Sequence, residues 1–174
     1  MSERKRLEDK LTLLKANRIP RREIYGLIHD FGEARFLTAE PQVAKLLTHR
    51  NPELRYIAIM VLALHWKMKR YRRALERLLA EDSKHHVRRI AAAGLGHVLR
   101  ASRDSQAIRL LLEKLCDRAE VGSVRKTAYE AILEIWFPAE RDEDWDRRVD
   151  WNLVAEIRRA EGLDILSFLG NPSP

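Results

Sequence analysis

Three stretches of the chain repeat one another: Asn51-Pro-Glu-Leu54-Arg55-Tyr-Ile-Ala58-Ile-Met-Val-Leu62, Ser83-Lys-His-His-Val87-Arg88-Arg-Ile-Ala91-Ala-Ala-Gly-Leu95-Gly96 and Gly122-Ser-Val124-Arg125-Lys-Thr-Ala128-Tyr-Glu-Ala-Ile132. Each carries an aliphatic residue, then arginine, then alanine three residues on, then leucine or isoleucine four further. The arginines stand 33 and then 37 positions apart. A period in the mid-thirties marks a stacked-repeat architecture, because one such unit cannot bury its apolar face alone. The spacing is helical: Leu54, Ala58 and Leu62 share a stripe, as do Val87, Ala91 and Leu95, and Val124, Ala128 and Ile132. The small central alanine lets a neighbouring helix come close.

Working outward, each of these helices has a partner with apolar spacing of its own. Val43, Leu46 and Leu47 belong to the first partner, Leu75, Leu78 and Leu79 to the second, and Ile108, Leu111, Leu112 and Leu115 to the third. Polar turns join them. Asn51-Pro52 breaks the chain, Asp82-Ser83 reads as a cap for the next helix, and Val121-Gly122-Ser123 opens the last. The unit is helix A, turn, helix B. The predicted fold class is all-α: a single α-solenoid domain over residues 1–174, with about three helical-hairpin repeats over 38–137. Capping helices flank them at 1–37 and 138–169, and 170–174 reads as a frayed tail. Arg4 to Asn17 reads as an amphipathic helix with Leu7, Leu11 and Leu14 in phase. A second helix follows from Pro20, with Gly32 expected to end it.

The three motifs Leu54-Arg55, Val87-Arg88 and Val124-Arg125, with the alanine and leucine or isoleucine that follow each, resemble the HEAT-like repeats of bacterial proteins. The short form found in phycobilisome-lyase-like proteins is included in that likeness. The resemblance covers Thr38 to Phe137 and implies the solenoid fold. It implies little about function, because a fold hosts many sites. The lyase activity known for some members of the class finds no supporting residue here.

Charge is the most informative functional feature. The chain carries a formal net charge of +7. From Lys45 to Arg103 fourteen basic residues face four acids, a local charge of +10, whereas from Asp104 onward ten bases face fifteen acids. Two basic features stand out. One is Trp66-Lys67-Met-Lys69-Arg70-Tyr71-Arg72-Arg73, where cations alternate with two aromatics, a composition suited to phosphate contact and stacking or to an ordinary solvated helix start. The other is the ladder of Arg55, Arg88-Arg89 and Arg125-Lys126 near the start of each B helix. A cation there opposes the helix dipole at a cost of a few tenths of a kcal/mol. Three repeats that tolerate it imply a compensating contact, either an intramolecular acid or an acidic ligand. In repeats of this kind the first arginine bridges to an acid of the preceding turn, where Asp82 and Asp117 stand. His49 in the first turn leaves Arg55 the least neutralised. Arg89 and Lys126 are freer to face a partner.

Catalytic machinery is missing. There is no Walker loop, no Gly-x-Gly-x-x-Gly, no Gly-x-Ser-x-Gly and no His-Glu-x-x-His. His85-His86 point about 100° apart on a helix and share a metal poorly. His29-Asp30 lacks the further spaced histidines of a metal phosphohydrolase. The lone cysteine, Cys116, excludes an internal disulfide and reads as a core thiol. Trp136, Trp145 and Trp151 lie among aspartates near the C-terminal cap. No secretory h-region opens the chain, and no apolar run nears the roughly 18 residues of a membrane span. The sequence therefore predicts a cytoplasmic, non-catalytic scaffold without cofactor or metal. Its basic concave face would hold an acidic protein or peptide segment through Arg55, Lys67, Lys69, Arg70, Arg72, Arg73, Arg88, Arg89, Arg125 and Lys126. A nucleic-acid-binding module is the alternative, and a subtype resembles the longer HEAT-like alkylpurine DNA glycosylases, for which no catalytic carboxylate is found. The protein is expected to be a monomer or to associate weakly head to tail.

Overall fold

The computed structural model describes residues 2–137 and 149–163. The acidic stretch around Trp145 and the closing turn Ile165 to Leu169 lie outside them. Every described element is helical. The chain opens with α1 (Glu3–Lys15) and α2 (Arg21–Glu33). The first repeat pairs the short α3 (Glu40–Lys45) and a 3-10 turn at Leu46–Thr48 with α4 (Pro52–Ile59), which continues as π-helix over Met60–His65. The second pairs α5 (Arg72–Glu81) with α6 (His85–Val98), and the third α7 (Ser105–Cys116) with α8 (Gly122–Trp136). Then comes α9 (Trp151–Ala160).

The helix starts follow from their side chains. Asn51 accepts the Glu53 N–H at 3.0 Å with Pro52 in the first turn, where its missing N–H costs nothing. Asp104 accepts the Ala107 N–H at 3.0 Å, and Asp150 the N–H groups of Asn152 and Leu153. Asp82 differs from the cap expected of it. It ends α5, and Lys84 stands at the N-cap of α6.

The stripes expected from the motifs are the core. Ala58, Leu62, Val87, Ala91, Leu95, Val124, Ala128 and Ile132 are fully buried, and Leu54 nearly so. They meet Leu75, Leu79, Ile108 and Leu111 from the A helices. The B helices pack side by side, with α6 between α4 and α8, whereas α5 and α7 barely touch. Splayed A helices and close-packed B helices give a curved stack with the B helices inside.

Two glycines make that closeness possible. A Cβ on Gly94 would lie 3.0 Å from Ala63 Cβ on the α4 side, and one on Gly96 would lie 2.9 Å from Ala131 Cα on α8. Gly32, expected to end a helix, instead lies within α2. A Cβ there would meet Val61 Cγ2 at 2.8 Å, so Gly32 admits the π-helical end of α4. After α6 the chain clips onto the end of α8: Ala101 N–H donates to Glu134 O at 2.8 Å and Arg103 N–H to Ile135 O at 2.9 Å. The Arg103 guanidinium lies over the Trp136 ring.

Substituting Gly96→Ala tests the packing. Alanine gains about 1 kcal/mol of helix propensity, but the added methyl meets backbone, and overpacking of this kind costs about 1–3 kcal/mol. A net loss of about 1 kcal/mol is expected in urea unfolding. Gly26→Ala in α2, which meets nothing within 4 Å, should gain stability instead. Equal gains in both variants would show that α6 and α8 are not this close.

Candidate functional site

The starts of the B helices carry a repeated ionic clamp. Arg55 donates from Nε and Nη2 to both carboxylate oxygens of Asp82, at 2.6 and 2.8 Å, and from Nη1 to His49 O at 2.7 Å. One repeat on, Arg88 donates from Nε and Nη2 to both oxygens of Glu120, at 2.7 and 2.6 Å, and from Nη1 to Asp82 O at 2.7 Å. Each guanidinium thus holds a carbonyl of its own turn and the acid of the next repeat's turn. The direction is opposite to the one expected: the acid follows the arginine rather than preceding it, and Arg55 is fully engaged. The reason is geometric, since the rows of turns lie side by side and the fork of arginine spans one interval. Arg125 donates from Nε to Leu115 O at 2.8 Å.

The carboxylates of Asp82 and Glu120 are both 3% exposed. Burial raises the pKa of each. For Glu120 the Arg88 guanidinium, the Val121 N–H and Lys114 outweigh it, and for Asp82 Arg55, the Lys84 N–H and His86 do so. Both carboxyls end below their ordinary range and stay ionised.

A second row joins the A helices. Glu40 bonds Arg70 and the Tyr71 hydroxyl. Arg72 grips Asp104 through two nitrogens at 2.6 and 2.7 Å and Glu76 at 2.7 Å. Arg109 donates to Glu161 O at 2.8 Å. Of the residues expected to meet a partner, Arg55, Arg70, Arg72 and Arg88 therefore hold the stack together, and Arg125 ties its own hairpin. Lys67, Lys69, Arg73, Arg89 and Lys126 are exposed, and among the described residues none forms an ion pair. Trp66 is buried and Tyr71 is held by Glu40, so neither aromatic of the basic run is presented for stacking.

The inner face is the stripe of each B helix that stays unburied. It comprises Glu53, Tyr56 and Met60 on α4, His86, Arg89, Ala93 and His97 on α6, and Lys126, Glu130 and Glu134 on α8. His86 Nε2 lies 3.3 Å from Glu53. His97 is held below the usual imidazole range by burial, then by Lys67 and Arg100. Burial raises the Glu134 carboxyl against the opposing pull of Arg100. The sequence does not single out His97 and Arg100, nor the clamp acids Glu120, Asp104 and Glu40. A signal for the acids exists: Asp82 and Glu120 each stand just before a B helix.

Among the described residues no three side chains are placed to hold a metal. Burial raises the Cys116 thiol, which keeps it protonated at neutral pH. A cleft of about 670 Å³ beside α1 is lined by both signs of charge, Arg4, Arg6 and Arg35 against Glu3, Asp30 and Glu33.

Hairpins stacked with their B helices inside and cross-linked from turn to turn define a helical-repeat solenoid. The family model of HEAT repeats matches residues 40–133, more than half of the chain, and the protein belongs to that family. No curated protein and no solved structure matches it.

Glu120→Gln should destabilise the protein by roughly 2–4 kcal/mol at pH 7, because it leaves the Arg88 charge without its counterion. The pair Arg88→Met with Glu120→Leu should cost less than the two singles summed. Since the Glu120 pKa is lowered on folding, its contribution is full above the ordinary carboxylate pKa of about 4.3 and is lost as the pH falls below it. Urea midpoints at pH 7, 5 and 3 should therefore fall less steeply with acid in Glu120→Gln than in the wild type. Parallel curves would contradict an ionised, clamped Glu120.

Proposed function

We propose that this chain is a non-catalytic binding scaffold whose inner face holds an acidic segment of a protein partner. HEAT repeats commonly serve as protein-interaction scaffolds. The observation that carries the finer reading is the set of cations left over once the clamps are satisfied. Arg89 and Lys126 stand exposed at corresponding places on α6 and α8, and Lys67 and Arg100 lie exposed at the far ends of the B helices. The short bacterial form of the repeat that the motifs resemble brings no lyase chemistry with it. No described helix is long and apolar enough to cross a membrane, and a lone cysteine suits the cytoplasm. The protein on this reading is a monomer or associates weakly head to tail, its basic middle against the acidic end of another copy.

Nucleic acid is the less favoured partner for two reasons. A phosphate chain running along the inner face would meet Glu130 and Glu134, and the aromatics of the basic run are already engaged. The outer cations Lys69, Arg73 and Arg77 would suit it better, since they follow one another at four-residue spacing and are exposed.

Fluorescence anisotropy with an Asp-rich peptide and with single- and double-stranded DNA, at about 50 and 150 mM salt, separates the readings. Arg89→Glu with Lys126→Glu should abolish peptide binding, and Lys69→Glu with Arg73→Glu should leave it. DNA binding that persists at the higher salt and vanishes only with the outer pair would overturn the scaffold reading.

A further inference from the structure

On α6, Arg89, Ala93 and His97 follow one another at four-residue spacing and form its unburied stripe. The neighbouring stripe of α4 supplies Tyr56 and Met60, both half-buried and packed on the core. The strip between α4 and α6 therefore has an apolar middle. Cations stand at both ends, and at the Arg89 end Glu53 of α4 is turned to His86 at 3.3 Å. Arg89 is exposed and unpaired among the described residues at one end. At the other, Lys67 and Arg100 are exposed and both bear electrostatically on His97. The His97 Nε2 atom is occluded, so His97 forms part of the floor at this end while Lys67 and Arg100 supply the exposed charge. On the other side of α6 the strip is bounded by Glu130 and Glu134, which repel an anion and keep it on the α4 side.

We infer that this strip takes an extended segment bearing two acidic residues four positions apart with an apolar residue between them, one carboxylate at Arg89 and the other at Lys67 and Arg100, beside His97. The inference rests on the acidic-partner reading above and sets the spacing that reading leaves open. Eight helical residues from Arg89 to His97 span about 12 Å, and four residues of extended chain span about 13 Å. The middle residue then lies over Ala93 and Met60.

Three labelled twelve-residue peptides test it by anisotropy at about 50 mM salt. In a neutral Ser/Gly background, one carries Asp at positions 4 and 8 with Leu at 6. The second carries Asp at 5 and 7 with Leu at 6. The third is Asp throughout. The four-spaced peptide should bind about three- to fivefold tighter than the two-spaced one, the scale of one exposed ion pair. Arg89→Gln, and separately Lys67→Gln with Arg100→Gln, should each remove that advantage. These side chains are exposed, and unchanged thermal unfolding confirms the fold of each variant. Equal affinity for the two spacings, or an advantage that survives either variant, overturns the inference. Binding of the all-Asp peptide alone overturns it while leaving the acidic-partner reading intact. Failure of all three peptides overturns that reading and the inference with it.

Discussion

Arg88 lies between two repeats and holds both. Its guanidinium takes the Glu120 carboxylate with two nitrogens and the Asp82 carbonyl with a third, and Asp82 is in turn gripped by Arg55 from the repeat before. The turns are thereby chained to one another. The B-helix surfaces that stack beneath them include Gly94, Ala63, Gly96 and Ala131, small residues that allow close approach and say little about register. A bidentate fork does fix register, because its two bonds need one orientation. Ion pairs this dry contribute less net stability than their short distances imply, since both charges have been stripped of water. A fork held by two bonds favours the one stacking in which both are made.

The clamps also decide what the basic character of the chain means. The stretch from Lys45 to Arg103 looks like a continuous cationic surface in one dimension. Folded, Arg55, Arg70, Arg72 and Arg88 are occupied by Asp82, Glu40, Asp104 and Glu120. Asp104 and Glu120 come from the acidic half of the sequence, so part of the basic stretch is neutralised within the molecule. The cations left exposed include Arg89 and Lys126 at one edge of the inner face, Lys67 and Arg100 at the other, and Lys69, Arg73 and Arg77 outside.

The fold was legible because its signal is local. The order aliphatic, Arg, Ala, Leu recurs in phase, and helical periodicity carries Leu54 to Ala58 or Val87 to Ala91 directly into the core. The clamps were half legible. That the first arginine of each motif needs a compensating contact follows from the helix dipole, but which acid supplies it depends on the pitch of the stack, a distance of about 30 residues along the chain that no local pattern encodes. Gly32 misled for a similar reason. Near the end of a helix glycine reads as a stop, yet here the close approach of Val61 requires it. The meeting of His97 and Arg100 with Lys67 was hidden because Lys67 comes from the preceding repeat.

The division of arginines into those that hold the stack and those that meet a partner is measured most directly by side-chain Nε–Hε resonances in ¹H–¹⁵N spectra, during titration with an Asp-rich peptide. The account predicts that the Nε–H groups of Arg55, Arg72 and Arg88 are protected from exchange in the free protein and stay in place, while Arg89 exchanges fast and shifts with peptide. Movement of Arg55 and Arg88 with Arg89 unchanged would contradict it and return the ladder to the partner.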